Sequence, residues 1–170
     1  MSTPTDEQGA LSAAAVLESL DRCGITDVVW LPDSESGFLY QALSSRASPR
    51  LTPVCREGEA IVIALGLVVA GRRPAVIIQS TGLFESGDSI RGAAIAFQMP
   101  LLVLVGYRGW TGGGPLTDTA AIYLEPILNA WGIPHYLVES DADLRRVDEA
   151  WAEAQRRNGI AAVLVGQEYQ

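Results

Sequence analysis

Short apolar runs alternate along the whole chain with segments of helical apolar spacing. The runs at 27–31 (D-V-V-W-L), 74–79 (P-A-V-I-I-Q) and 101–105 (L-L-V-L-V) are too short for helices and rich in β-branched residues. Strands that are apolar on both faces belong in parallel sheets that helices cover on both sides. We therefore predict an α/β fold: a single three-layer domain with a six-stranded, mainly parallel sheet and helices on both faces.

The predicted elements leave little of the chain unassigned. Strands are predicted at 27–31, 51–55, 74–79, 101–105, 135–138 and 162–165, and helices at 12–23, 38–46, 60–70, 89–98, 119–131 and 141–157. The 60–70 helix is apolar all round, which indicates burial. Residues 1–10 are expected to form a flexible leader and residues 11–170 the domain.

Charge and residue usage exclude several classes of function. The 170 residues carry a net charge of −8, whereas nucleic-acid binding needs clustered positive charge. All 12 basic residues are arginine, so the chain has no lysine for Schiff-base chemistry or for a Walker-type phosphate loop. His135, Cys23 and Cys55 are too few for a zinc site of the Cys/His type.

The chain is expected to be cytoplasmic and not to cross a membrane. Its longest apolar stretch, 60–70, is shorter than the roughly 20 residues that a bilayer span needs. The N-terminus lacks the basic start and apolar run of a signal peptide. Two isolated cysteines also suit a reducing compartment.

Ligands of such sheets bind beyond the carboxyl ends of the strands. Four loops are expected there, at 32–37, 56–59, 80–88 and 106–115. The last is rich in glycine but matches neither G-x-G-x-x-G nor a Walker sequence, so it is interpreted as a mobile loop or a lid over a ligand. Arg108 within it is either an anion ligand or a solvated surface residue.

Two carboxylates, Glu57 and Glu59, stand at the start of the apolar helix. The common role of carboxylates at this position is to complement the helix dipole. A carboxyl group in front of an entirely apolar helix is also partly removed from water, which suits it to proton exchange. Both interpretations are consistent with the residues alone.

A second polar group follows the third strand, where Gln79, Ser80 and Thr81 stand beside Gly82. One interpretation is a strand-to-helix turn with serine or threonine capping. The other is a dense set of hydrogen-bonding groups where an α/β ligand should lie. A Ser/His/Asp hydrolase is not expected, because His135 stands alone and no serine lies in a G-x-S-x-G turn.

With these loops in place, the chain resembles the pyrimidine-binding domain of thiamine diphosphate enzymes of the sulfopyruvate and phosphonopyruvate decarboxylase type. C-R-E-G-E-A is similar to the family's R-E-E-E or N-E-G-N-A segment, and Glu57 and Gly66 keep the family's spacing. W-L-P-D-S resembles G-V-P-D-S, Q-S-T-G-L resembles Q-N-S-G-L, and V-G-Y-R-G-W-T-G resembles G-W-R-G-E-P-G. The resemblance covers residues 11–165 and implies that the 11–170 domain binds the pyrimidine of the cofactor.

The resemblance implies a catalytic role for Glu57. Its carboxyl group would hydrogen-bond a pyrimidine nitrogen of thiamine diphosphate and activate the cofactor, so that a small anionic 2-oxo acid loses carbon dioxide and an aldehyde is released. Residues implied on the substrate side are Asp33, Ser34 and Arg108, with Arg108 at the terminal anion. The residues implied in cofactor binding beside Glu57 are Gln79, Ser80, Thr81, Gly82 and Leu83.

The chain also departs from the family. Where the family has G-N after the leucine, this chain has Phe84-Glu85, which would suit a sulfonate or phosphonate poorly if both face the pocket. The chain lacks the G-D-G motif with which the family binds the diphosphate and Mg²⁺. The resemblance therefore implies the alpha subunit of a split enzyme. A beta subunit would carry the G-D-G domain and the Mg²⁺ in an alpha-beta hetero-oligomer.

Three alternatives stay open. They are a thiamine diphosphate carboligase subunit, a non-catalytic regulatory or scaffolding module of the same fold, and a flavodoxin-like nucleotide binder that uses the glycine-rich loop. Product analysis separates decarboxylation from carboligation. Substitution of Glu57 would leave a non-catalytic module unaffected, and bound flavin would indicate the third alternative.

Overall fold

The computed structural model describes residues 11–34 and 36–166, so the expected leader at 1–10 lies outside the described residues. The strands are β1 (Asp27–Trp30), β2 (Arg50–Pro53), β3 (Pro74–Gln79), β4 (Leu101–Gly106), β5 (His135–Val138) and β6 (Ile160–Val165). The α-helices are α1 (Ala13–Arg22), α2 (Leu39–Ser44), α3 (Glu57–Val69), α4 (Ser80–Glu85), α5 (Gly87–Ser89), α6 (Thr119–Ala130) and α7 (Arg145–Arg157). A π-helical segment, Ile90–Ile95, continues α5. None of the described helices has the length and apolar character of a membrane span.

The six strands form one sheet in the order β2-β1-β3-β4-β6-β5, and every neighbouring pair is parallel. This confirms the predicted α/β fold with a six-stranded parallel sheet. The central strands β3 and β4 are buried along their length, as continuously apolar runs require. Their register pairs Gln79 with Gly106, so the third and fourth predicted loops leave the carboxyl edge of the sheet side by side.

Helices cover both faces of the sheet and divide the core in two. On one face α1, α2 and α7 bury residues such as Leu20 and Val147, and on the other α3, α4 and α6 bury residues such as Ile61 and Leu124. The chain leaves β1 toward the first face and β3 toward the second. The crevice between the carboxyl ends of β1 and β3 is therefore a topological switch point, where α/β sheets bind ligands.

Two predicted elements differ from the structure. The segment 80–88, predicted as a loop, is helical from Ser80, because burial of Leu83 in the core favours a helix over the weak propensities of S-T-G-L-F-E. The 60–70 helix begins earlier, at Glu57, and is not buried all round, since Val62 and Val69 are 47% and 73% exposed. Mean hydropathy alone could not indicate which side of α3 the sheet covers.

An apolar strip thus remains at the surface, made of Val62, Gly66 and Val69 on α3 and Phe97 beyond the π-helical segment. These residues line a shallow groove of about 260 Å³ together with Leu65, Ala93 and Met99. A Cβ atom placed on Gly66 would meet no atom within 4 Å. The packing of the chain itself therefore does not require glycine at this position.

Candidate active site

The carboxyl edge of the sheet brings together the loop after β1, the start of α3 and the start of α4. Helix α3 begins at Glu57 directly after the loop that follows β2, and α4 begins at Ser80 directly after β3. Because α3 and α4 lie on the same face of the sheet, their first turns come into contact. Three of the four loops predicted to matter therefore leave the same edge of the sheet, and the two segments that begin α3 and α4 are in contact.

Glu57 lies against Gly82 of α4. A Cβ atom on Gly82 would be 2.4 Å from Cγ of Glu57 and 2.6 Å from its Oε1, so only glycine leaves room for this side chain. Glu57 is half-buried, and its carboxyl group makes no hydrogen bond to any part of the chain that the structure describes. The structure thus joins two residues predicted for the site and leaves an acidic acceptor available.

Two buried polar atoms lie next to this contact. Ser80 is fully buried, and neither its Oγ nor Oε1 of Gln79 has a hydrogen-bond partner among residues 11–34 and 36–166. A buried polar atom without a partner costs free energy, and such atoms in native proteins call for an explanation such as a ligand or a bound water. Their place at the end of β3 makes this edge suited to a polar ligand.

The remaining residues predicted after β3 are divided between surface and core. Thr81 is exposed, whereas Leu83 is 2% exposed and packs in the core beneath α4. Leu83 therefore supports the helix that carries Gly82, and its side chain faces away from solvent.

Asp33 shapes the turn after β1. Its carboxylate accepts hydrogen bonds from the backbone N–H of Ser36 at 2.8 Å and from the Ser36 hydroxyl at 2.9 Å. The buried Trp30 indole donates to the same Ser36 Oγ at 2.8 Å. Asp33 is thus tied to the core through Ser36, while Ser34 at the tip of the turn is exposed.

Glu85 is the residue at this site that sequence reasoning assigned no role. Its Oε2 accepts a hydrogen bond from the backbone N–H of Gly58 at 2.9 Å, and its Oε1 pairs with the Arg56 guanidinium, whose Nε lies at 3.1 Å. The Arg56 hydrogen bond, together with the Gly58 N–H, lowers the pKa of Glu85. The only sequence signal was its departure from the family pattern. Glu85 faces α3 and not the cleft that Phe84 lines.

Phe84 and Arg108 face a wide cleft between α4 and α6. Its volume is about 780 Å³, and the side chains around it are Thr81, Phe84, Arg108, Asp118, Thr119, Ala120, Tyr123, Pro126 and Ile127. Nε of Arg108 lies 3.4 Å from Oδ2 of Asp118, the residue that caps α6. Arg108 therefore faces the same cleft as Thr81 and Phe84, where it is already paired with a carboxylate.

The first half of the glycine-rich loop is anchored. Tyr107 is buried and donates to Glu125 of α6 at 2.9 Å, and its ring stacks on Trp110 with centroids 4.9 Å apart. The Trp110 indole donates to Glu139 at 2.7 Å. Burial is the main cause that raises the pKa of the Tyr107 phenol, and the hydrogen bond to Glu125 raises it further. The phenol therefore stays a donor. Within the loop, Arg108 and the tip, residues 111–115, are exposed.

His135 has contacts typical of a structural residue. Its Nδ1 lies 3.2 Å from the carbonyl oxygen of Ile133, and its Nε2 lies 3.8 Å from a carboxylate oxygen of Glu125. The described residues hold no group of three or more His, Cys, Asp or Glu side chains arranged for a metal ion.

Comparison with known proteins identifies a matching family model and relatives that are named as decarboxylases. Residues 7–116 match the family model for the thiamine pyrophosphate enzyme N-terminal TPP binding domain. The sulfopyruvate decarboxylase subunit alpha of Methanococcus maripaludis is 26% identical over 98 residues, 58% of this chain and 59% of that protein. The phosphonopyruvate decarboxylase of Streptomyces hygroscopicus is 30% identical over 103 residues, 60% of this chain and 25% of that protein.

A third relative is named for a different activity. The 2-succinyl-5-enolpyruvyl-6-hydroxy-3-cyclohexene-1-carboxylate synthase of Rhodococcus opacus is 36% identical over 101 residues, 56% of this chain and 18% of that protein. The match to the sulfopyruvate decarboxylase subunit spans about three fifths of that relative, and the matches to the other two span a quarter or less. Because the family model covers well over half of the 170 residues, the chain belongs to the thiamine pyrophosphate enzymes, as a TPP-binding domain of their N-terminal type.

Proposed function

We propose that the chain is the alpha subunit of a split thiamine diphosphate-dependent 2-oxo acid decarboxylase of the sulfopyruvate or phosphonopyruvate type. The observation that carries the proposal is the Glu57 carboxyl group, held over Gly82 without a hydrogen bond among the described residues. Membership of the thiamine pyrophosphate enzyme family and relatives named as decarboxylases support it.

The residues at the carboxyl edge fit the pyrimidine end of this cofactor. Glu57 would accept a hydrogen bond from, or share a proton with, a ring nitrogen. Gln79 Oε1 and Ser80 Oγ, which have no hydrogen-bond partner among the described residues, would face its polar edge. Thr81 and Gly82 would line the same site, and Leu83 would support α4 from the core. When bound, thiamine diphosphate supplies the electron sink for loss of carbon dioxide. Glu57 would hold the proton that it shares with the ring nitrogen. Gly82 sets the position of the Glu57 carboxyl group.

The proposed substrate is a small anionic 2-oxo acid with Asp33, Ser34 and Arg108 on its side of the site. The Arg108–Asp118 pair is exposed, with half of the Arg108 side chain accessible to solvent. Exposed pairs contribute little to stability, so a sulfonate or phosphonate would displace Asp118 at small cost. Asp33, tied to the core through Ser36, would hold the turn that carries Ser34.

The proposal includes a second subunit that holds the diphosphate and Mg²⁺, since this chain has no G-D-G sequence. The name "subunit alpha" of the archaeal relatives supports a partner. The apolar strip is the surface we assign to it. Phe97 and Val69 are 65% and 73% exposed, and the open side of Gly66 allows another backbone to approach closely. Both cysteines are unpaired, in keeping with the proposed cytoplasmic location.

The test is Glu57→Gln in the chain co-purified with its partner. Turnover of sulfopyruvate and phosphonopyruvate is measured by the release of carbon dioxide. We expect it to fall at least 100-fold, while subunit assembly in size-exclusion chromatography is unchanged. Glu59→Gln is the matched control, because Glu59 lies in the same first turn of α3 but is exposed. Full activity of Glu57→Gln would overturn the catalytic assignment and favour a non-catalytic module.

A carboligase subunit is the second candidate, and the relative named as a synthase favours it. The two reactions share the step in which carbon dioxide is lost and differ in the next step, which is protonation in one and carbon–carbon bond formation in the other. Analysis of the products decides between them: an aldehyde indicates decarboxylation alone, and a product with a new carbon–carbon bond to an added acceptor indicates carboligation.

A further inference from the structure

Arg56 stands among three carboxylates. It directly precedes Glu57. The hydrogen bond to Glu85 contributes most to raising the pKa of its guanidinium, and the charges of Glu85, Glu57 and Glu59 raise it further. Its side chain is 77% exposed and reaches out over the start of α3. Within the described part of the chain, all of its hydrogen bonds go to Glu85.

A second hydrogen bond holds the Glu85 carboxylate in the position where it pairs with Arg56. Its second oxygen accepts the Gly58 N–H, one of the backbone groups at the first turn of α3 that no intrahelical carbonyl can satisfy. A Cβ atom on Gly58 would lie 3.1 Å from Oγ of Ser89 and in ordinary contact, 3.4 Å, with Oε2 of Glu85, so Glu85 packs directly against the first turn of α3. Gly82 and Glu85 are three residues apart, so one face of α4 meets both Glu57 and Gly58.

We propose that Glu85 is a positioning residue that holds Arg56 away from the Glu57 carboxyl group. An arginine freed from Glu85 still stands beside Glu57 in the chain, and Glu57 and Glu59 are the other carboxylates whose charges act on its guanidinium. Guanidinium–carboxylate hydrogen bonds are among the strongest in proteins. A guanidinium on Glu57 would occupy the acceptor oxygen that a ligand needs. The inference rests on the proposed function, since it gives Glu57 a ligand to receive.

The experiment compares Glu85→Gln, Arg56→Ala and the double variant in the full chain with its co-purifying partner. The first readout is the ¹³C resonance of the Glu57 carboxyl carbon, assigned by its absence in Glu57→Gln. The second is kcat/KM. Glu85→Gln keeps an oxygen for the Gly58 N–H but loses the charge that holds Arg56. We expect it to shift the resonance and to lower kcat/KM about 10- to 100-fold.

The decisive comparison is the double variant. Addition of Arg56→Ala to Glu85→Gln is expected to return the resonance to its wild-type position and to restore most of the lost kcat/KM, because no guanidinium remains to reach Glu57. A double variant as impaired as Glu85→Gln would overturn the proposal, since Glu85 would then act through the helix start alone. An unchanged resonance in Glu85→Gln would overturn it as well.

Failure of the proposed function gives a different pattern. If Glu57→Gln keeps full turnover, Glu57 is not catalytic, while the resonance still reports whether Arg56 reaches it. If Glu85→Gln folds poorly by circular dichroism, Glu85→Asp asks the same question, because it keeps the charge but shortens the reach to Arg56. A resonance shift that Arg56→Ala reverses supports the proposal in that variant too, and a shift that persists overturns it.

Discussion

Gly82 has no side chain, and the space that it leaves determines the position of the Glu57 carboxyl group. Gly82 sits in a short helix, where glycine costs about 1 kcal/mol relative to alanine. That cost is offset by the room it leaves, because any Cβ atom at this position would overlap the Glu57 side chain. The role of Gly82 therefore concerns where the Glu57 carboxyl group lies more than the stability of α4.

Gly82→Ala is expected to separate these two effects. The new methyl group forces the flexible Glu57 side chain to move, so turnover should fall roughly 100-fold. The free energy of unfolding should change by less than about 1 kcal/mol, because alanine favours the helix while the contact opposes it. Urea unfolding and steady-state kinetics measure the two quantities. Unchanged activity would show that the contact does not position Glu57.

The two cysteines differ in reactivity for reasons visible at the residue scale. Burial, followed by the charge and hydrogen bond of Asp148, raises the pKa of the Cys23 thiol to about 12. Cys55 is exposed at the end of the loop before α3.

At pH 8 a disulfide reagent is therefore expected to modify Cys55 alone in the folded chain and both thiols in denaturant. A raised pKa keeps the Cys23 thiol neutral below that value, and the thiolate is the reactive form. The variant Cys55→Ser is the control and should leave no fast-reacting thiol. Rapid modification of Cys23 in the native state would contradict the burial described above.

At the scale of elements, α3 and α4 are joined by polar contacts at their first turns and by apolar contacts behind them. Glu85 of α4 satisfies a backbone group of α3, and Ile61 and Leu83 pack in the same part of the core. The two helices thus form one unit that carries Glu57, Gly82 and Ser80, whose Oγ has no hydrogen-bond partner within residues 11–34 and 36–166.

The acid sensitivity of this unit follows from Glu85. Its folded-state pKa is lowered below the ordinary value of 4.5 by the Arg56 hydrogen bond and then by the Gly58 N–H. A lowered pKa contributes stability that is fully present above pH 4.5 and is lost as the pH falls through the lower folded-state value. We expect wild type to exceed Glu85→Gln in urea midpoint at pH 7, and the difference to shrink toward pH 3. A difference independent of pH would contradict the ionic contact.

At the scale of the whole molecule, the chain covers its sheet on both faces but leaves the apolar strip open. Phe97 and Val69 are large apolar side chains exposed next to one another along one groove. Exposed apolar surface of this kind marks interaction sites, and it lies on the same helix that begins with Glu57. A second subunit on this strip would contact the helix that carries Glu57, from about 8 to about 18 Å along its axis.

Gly66→Ala tests this surface. In the chain alone, alanine meets no atom and favours the helix, so the free energy of unfolding should rise by about 1 kcal/mol. In the complex, the added methyl group should weaken association with the second subunit about tenfold, as measured by isothermal titration calorimetry. Gly71→Ala is the control: it is equally open, but its φ of +76° disfavours alanine, so it should destabilise the chain without affecting association. Unweakened association of Gly66→Ala would place the partner elsewhere.

The sequence by itself determined the elements whose signal is local. Continuous apolar runs specify strands that are buried on both faces, as β1, β3, β4 and β6 are. All six strands begin and end within two residues of their predicted limits, and the sheet is parallel throughout. The same local patterns indicated Glu57 and the polar residues after β3 as site candidates, and their roles stay predictions.

Only the tertiary structure decided what depends on contacts between distant residues. The strand order, the helical state of 80–88 and the exposed side of α3 follow from how the helices pack on the sheet, and intrinsic propensity is too weak to specify them. Glu85 and Gly58 are 27 residues apart, and no local pattern indicates that they meet. A pattern of residue types records which side chains must be buried, whereas the partner of each polar group depends on where the elements come together in space.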